Sequence, residues 1–208
     1  MNGFKLIFIA SICMITTFSA SAHRTSNTAS GQAVTMPVGH RHTTAPATLS
    51  PASLSSWELS GAIAARNKKR GWTASINWLQ QGPNQYQIRL FGPLGGGTVI
   101  VEKHGAVITY RDGPKRISSN NADELLQKQT GVRLPVKNLY YWVRGLPAPG
   151  SIQAKRVDAN NYLIGFTQAG YSIKYTAYTS AGGMTLPSKI HLQGHGVLIK
   201  LVIKHWKV

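Results

Sequence analysis

From residue 57 onward the chain alternates apolar and polar positions in short runs, separated by glycine, proline and asparagine. Trp57-Glu58-Leu59-Ser60-Gly61-Ala62-Ile63 places Trp57, Leu59 and Ile63 on one face. Trp72-Thr73-Ala74-Ser75-Ile76-Asn77-Trp78 does the same for Trp72, Ala74, Ile76 and Trp78. A period of two marks half-buried β-strands. The basic stretch Arg66-Asn67-Lys68-Lys69-Arg70-Gly71 turns the chain between these runs, and Gln81-Gly82-Pro83-Asn84 turns it again. Gln85-Tyr86-Gln87-Ile88-Arg89-Leu90 then carries Tyr86, Ile88 and Leu90 on one side, and Thr98-Val99-Ile100-Val101 opens the next strand. Between them lies Phe91-Gly92-Pro93-Leu94-Gly95-Gly96-Gly97, a hairpin connection with an aliphatic side chain at its tip. Leu94 either folds back onto its own hairpin or stays bare to touch a membrane or an apolar ligand. The residues alone leave both open.

Further strands are expected over 98–103, 106–111 and 115–118, and the period changes at Asn121. Asn121-Ala122-Asp123-Glu124 supplies a capping asparagine with a glutamate three residues on, and both carboxylates suit the positive end of a helix dipole. Leu125 and Leu126 give that helix an apolar side, and Gly131 ends it. A second helix starts at Pro135, carries Leu139, Tyr140, Trp142 and Val143, and stops before Gly145-Leu146-Pro147-Ala148-Pro149-Gly150. Strands resume over 152–158, 162–168 and 171–178, and Ala181-Gly182-Gly183-Met184 reads as a longer loop. A last hairpin joins 187–193 to 197–206, setting Val197, Ile199, Leu201 and Ile203 against Leu198, Lys200, Val202, Lys204 and Trp206. The total is about eleven strands with two or three helices, a mainly β fold whose long antiparallel sheet curls into a barrel or half-barrel. Gly61, Ala62, Ala64 and Ala74 are expected to leave room inside it.

Composition adds export. Lys5 and the apolar run that follows, closed by Ala20-Ser21-Ala22, make residues 1–22 a signal peptide. Residues 23–53 have no hydrophobic period and form a tether, and 54–208 form the domain. Cys13, the only cysteine, follows Ile12 within a short apolar run, whereas a lipidation site places cysteine after a small residue at the run's end. It is read as part of the signal's core, and a mature chain without it has no disulfide. The 23 Lys and Arg against six carboxylates give a charge of +17, a field that attracts anionic lipid, polyanions or an acidic protein.

Catalysis has little to work with. Glu58, Glu102, Asp112, Asp123, Glu124 and Asp158 are the only carboxylates, and none form an acid/base pair by spacing. No nucleophile setting or phosphate-loop pattern occurs, since Gly92 to Gly97 lacks the Lys-Ser/Thr ending and precedes a strand. His40 and His42 have no third ligand nearby, and His191 and His195, four apart, span a strand turn rather than one helical face. The expectation is no catalytic residue, no metal and no cofactor. Nucleic acid is not an expected partner, because Trp57, Trp72 and Trp78 fall on core faces and the signal peptide directs the chain out of that compartment.

With these residues in view, the chain resembles the outer-membrane lipoprotein LolB family. The resemblance rests on Trp72…Trp78-Leu79-Gln80-Gln81-Gly82, Gly92-Pro93-Leu94-Gly95, Leu125-Leu126…Gly131, Tyr141-Trp142-Val143-Arg144-Gly145-Leu146-Pro147 and Ile199-Lys200-Leu201-Val202-Ile203…Trp206, in unbroken order from Ser53 to Val208. It implies an unclosed antiparallel barrel of eleven strands, capped by helices around an apolar cavity. It implies a monomer that takes acylated lipoproteins from the carrier LolA and places them in the inner leaflet of the outer membrane. In that family a leucine on an inter-strand loop projects outward for membrane insertion, which assigns Pro93, Leu94 and Gly95 to this role. The acyl chains would lie against Trp57, Leu59, Trp72, Ile76, Trp78, Tyr86, Ile88, Leu90, Tyr140 and Trp142. Family members carry an acylated N-terminal cysteine, so with Cys13 in poor surroundings either a degenerate signal is still processed or the protein is soluble in the periplasm. The second is expected. A generic periplasmic carrier of lipid on the same scaffold is the alternative function.

Overall fold

The computed structural model describes residues 50–92 and 97–208. The expected signal peptide, Cys13, most of the tether and the loop residues Pro93, Leu94 and Gly95 lie outside the described residues. The elements in chain order are β1 (Ser56–Arg66), β2 (Gly71–Gln81), β3 (Gln85–Phe91), β4 (Thr98–His104), β5 (Val107–Asp112), β6 (Lys115–Ser119), α1 (Ala122–Thr130), α2 (Val136–Trp142), β7 (Gln153–Val157), β8 (Leu163–Gln168), β9 (Tyr171–Ala181), β10 (Met184–Gly194) and β11 (Val197–Lys207). All eleven strands form one antiparallel sheet ordered β6-β5-β4-β3-β2-β1-β11-β10-β9-β8-β7. Consecutive strands pair within β1–β6 and within β7–β11, and β1 pairs with β11 to join the two runs. β6 and β7 stand at opposite edges, so the sheet stays open, and the chain between those edges supplies both helices.

Alternation decides which face each strand buries. Trp57, Leu59, Ile63 and Ala65 of β1, Tyr86, Ile88 and Leu90 of β3, and Val197, Ile199, Leu201 and Ile203 of β11 all join one core with residues of both helices. The turns after β1, β5, β8 and β10 lie at one end of the sheet. β3 also ends, and β4 begins, at that end, as the pairings Arg66↔Gly71, Arg66↔Leu198, Phe91↔Thr98, Val99↔Asp112 and Gln168↔Tyr171 require.

Three local expectations change. The register between β1 and β11 slips from Ser60↔His205 to Gly61↔Ile203, leaving Lys204 as an extra residue. Such a bulge reverses the side-chain phase beyond it. Trp206 therefore turns inward, with its ring 5.5 Å from that of Trp57, instead of lying with Lys200 and Val202 on the outer face. The 181–184 connection is no long loop. Gly182 and Gly183 both have positive φ (53° and 74°), the pair of conformations that closes a two-residue hairpin, and β10 begins at Met184. The small residues of β1 do not hollow the interior: Ala62 and Ala64 alternate outward, and a Cβ on Gly61 would run into the Val202 carbonyl at the bulge.

Candidate functional site

The helices are set by local chemistry. The Asn121 side chain accepts from the Glu124 amide at 3.2 Å, and Asp123 and Glu124 occupy the first turn. Gly131, left-handed, ends α1. Asp123 then reaches forward: its Oδ1 accepts from the Val136 amide at 3.2 Å, at the start of α2. Burial raises the Asp123 pKa above its ordinary value, against the lowering pull of that hydrogen bond and of Arg133 and Lys137. A group with a raised folded pKa contributes stability that is complete below its unfolded pKa and lost as pH rises through the folded value. Asp123→Asn keeps the acceptor without the buried charge. Its melting temperature is expected to match the wild type near about pH 3 and to exceed it increasingly toward about pH 7. A constant difference across that range would contradict this account.

Leu125, Leu126, Val132, Leu134, Val136 and Leu139 point from this helical segment into the core. Where they meet the concave face of the sheet a pocket remains. Its sheet side is Ile63, Ile76, Trp78, Ile88, Leu90, Val101, Ile199 and Leu201, and its helix side is Leu126, Leu134, Val136 and Leu139. Every lining residue is apolar. The volume is only ≈ 20 Å³, about the space of one water. A groove of ≈ 750 Å³ adjoins it and shares Trp78 and Val136, but its rim is polar, with Asn84, Lys103, Asp123 and Asn138. An aromatic cluster floors this region. Trp57 lies 5.1 Å from Trp78 and 6.5 Å from Tyr140, and Trp78 lies 6.2 Å from Tyr86, ring centre to ring centre. Burial lifts the Tyr86 hydroxyl pKa, with the Asp123 charge adding to it.

Two buried glutamines fix two of the indoles. Trp78 Nε1 donates to Gln80 Oε1 at 2.9 Å, and Trp142 Nε1 donates to Gln168 Oε1 at 2.9 Å. Gln168 also pairs with both backbone groups of Ala148, pinning the Pro-rich stretch after α2. Arg144 is 3% exposed. Its Nε donates to the Tyr140 carbonyl at 3.0 Å, its Nη1 donates to the Leu54 and Pro51 carbonyls at 2.7 and 3.3 Å, and its guanidinium lies 4.1 Å from the Tyr140 ring centre. Burial pulls its pKa down, and Tyr140 and Tyr141 push it back up.

Of the ten residues assigned to acyl chains, Ile76, Trp78, Ile88 and Leu90 line the apolar pocket. Tyr86 and Tyr140 line the adjoining groove, and Trp57 backs the aromatic cluster. Leu59 is fully buried in the surrounding core. Trp142 is held by Gln168 outside the pocket lining, and Trp72 packs half-buried at the β1–β2 end. Ile63, Ile199 and Leu201 also line the pocket without having been assigned to it, although alternation set them inward, as does Val101, on a strand whose faces were not assigned. The whole helix side, Leu126, Leu134, Val136 and Leu139, was likewise unassigned.

The architecture is thus an open antiparallel sheet of eleven strands whose inner face is covered by a helix pair over a wholly apolar pocket. Its strand scaffold matches the solved structure of a DUF1329 family protein from Desulfovibrio piger. That match has a TM-score of 0.50 at 6% identity, over 76% of this chain and 87% of that one. The model of the family "Outer membrane lipoprotein LolB" matches residues 55–206. The outer-membrane lipoprotein LolB of Stutzerimonas stutzeri is 38% identical over 157 residues, 75% of this chain and 76% of that protein. The outer-membrane lipoprotein LolB of Coxiella burnetii is 33% identical over 171 residues, 82% and 80% respectively. The chain belongs to the LolB family, which places it on the exported side of the envelope, at the outer membrane.

Proposed function

We propose that this chain accepts acylated lipoproteins from a LolA-like periplasmic carrier, lodges their acyl chains between its helices and the concave face, and releases them into the inner leaflet of the outer membrane. The observation that supports this most is the wholly apolar pocket covered by a helix pair rather than by another strand. No covalent bond changes in such a transfer. Each methylene kept from water is worth ~0.8 kcal/mol, so a chain moves only along continuous apolar surface, from a weaker holder to a stronger one and last into the bilayer. At ≈ 20 Å³ the pocket is shut, so loading requires α1 and α2 to leave the sheet. Methylenes then take the places of Leu126, Leu134, Val136 and Leu139. Tyr86 and Tyr140, beside the polar-rimmed groove, meet the chain near its ester end.

In the same reading residues 1–22 are removed on export, 23–53 tether the domain, and the domain acts as a monomer. Contact with the bilayer runs through Leu94, flanked by Pro93 and Gly95, with Cys13 discarded. Leu94→Glu is expected to leave folding and acyl uptake intact and to slow release into liposomes by about tenfold or more, because a carboxylate resists entry into hydrocarbon. The assay is transfer of a labelled lipoprotein from its carrier to this protein and on to vesicles. Unchanged release by the variant, with free fatty acid bound as well as lipoprotein, would make the protein a general lipid carrier instead.

A further inference from the structure

Among the described residues the charge is not evenly placed. At the sheet end where β1 turns into β2, the connection presents Arg66, Lys68, Lys69 and Arg70, all exposed. At the same end, Lys115 and Arg116 follow the β5–β6 turn, and Arg133 follows the end of α1. One carboxylate, Asp112, shares that end. Glu58, Asp123, Glu124 and Asp158 lie toward the opposite end, and Glu102 sits mid-strand in a pair with Arg111. Among the described residues the ion pairs are Arg111–Glu102 and Lys128–Glu124, so none of the seven cations is neutralised.

The β1–β2 turn is also held in shape. Asn67 Oδ1 accepts from the Lys69 and Arg70 amides at 2.8 Å each, its Nδ2 donates to the Gly131 carbonyl at 2.8 Å, and its own amide donates to the Arg70 carbonyl. The turn is thereby fastened to Gly131, the residue that caps the end of α1. It extends beyond β3 on one side, since Ser75 of β2 is already level with Phe91, where β3 ends, and is level with the start of β11 on the other. The result is a fixed, unpaired set of cations at one end of the sheet, where exposed Phe91 also closes β3.

The geometry points to this rim as a docking surface for an anionic phospholipid bilayer. A lipid surface fits better than an acidic protein for two reasons. The seven cations are spread over three separate connections at one end of the sheet, which suits many phosphates better than one compact acidic patch, and an exposed aromatic, Phe91, ends β3 at that same end, as suits the region between headgroups and acyl chains. The inference rests on the reading of the protein as a delivery factor, because it states which face meets the membrane.

The test is co-sedimentation of the full chain with phosphatidylcholine vesicles, with and without about one-third phosphatidylglycerol. The wild type is expected to bind the anionic vesicles about tenfold tighter or more, and to lose that preference toward about 0.5 M salt. Lys68→Glu/Lys69→Glu/Lys115→Glu/Arg116→Glu is expected to abolish the preference while melting as the wild type and loading lipopeptide normally. A control that reverses four cations elsewhere, Lys103→Glu/Lys137→Glu/Lys204→Glu/Lys207→Glu, is expected to keep most of it. Equal binding to both vesicle types, or equal loss in both variants, would overturn the proposal. So would a rim variant that keeps vesicle binding but no longer receives lipoprotein from its carrier, which would give the rim to a protein partner. Loss of lipopeptide loading by the wild type itself would instead overturn the delivery reading, so the two failures are distinguishable.

Discussion

Arg144→Ala is expected to lower the stability of the domain by about 3–4 kcal/mol, as the shift in a guanidinium denaturation midpoint. The guanidinium is buried, faces no carboxylate, and serves carbonyls from two distant pieces of chain: Tyr140 within α2, and Pro51 and Leu54 ahead of β1. Removing it strands those acceptors, each worth about 1–3 kcal/mol when left unpaired out of water, and ends the stack on Tyr140. Arg144→Lys is expected to recover less than half of the loss, because an ammonium has neither the planar fork nor the stacking face. The stretch before Trp57 should become sensitive to protease in both variants, since Arg144 ties Pro51 and Leu54 down. An Ala variant within about 0.5 kcal/mol of the wild type would show that water replaces the guanidinium without cost.

This residue also shows where sequence reading stops. Alternation located the strands because each strand buries one face, a property written in adjacent residues. The cap at Asn121 and the stop at Gly131 were equally legible, since both are satisfied within four residues. Arg144 stood within a quoted motif, yet its partners lie 90 and 93 residues away, and nothing in the local pattern points to them. Gln168 anchors Trp142 across 26 residues and was equally hidden. Gln80 was not: it sits two residues after Trp78 on a buried face, where a glutamine must find partners, and that alone marks it. Trp206 was misplaced because the bulge that turns it belongs to a pairing between the first and last strands. For the site, the period of two named the lining face of the sheet. It had no means of telling how full the space above that face is, because filling depends on where a helix of period 3.6 settles on it.

That filling leads to a pair of substitutions with opposite effects on acyl-chain affinity. Leu139→Ala on the helix side and Ile88→Ala on the sheet side each remove a buried aliphatic side chain from the same pocket lining, and each is expected to cost about 2–4 kcal/mol of stability. If cargo enters by displacing the helix pair, the affinity measured is the intrinsic affinity multiplied by the fraction of molecules that are open. Weakening the closed state by about 2 kcal/mol through Leu139 raises that fraction about thirtyfold, so Leu139→Ala should bind a fluorescent fatty acid about tenfold tighter or more. Ile88 touches whatever occupies the pocket, helix or chain, so its loss weakens both and gives no such gain; affinity should stay level or fall. Stability alone does not separate the variants, whereas the ligand titration does. Both affinities falling together would mean that the helices remain in place when the chain is bound, and that the polar-rimmed groove, rather than the space beneath α1 and α2, receives it.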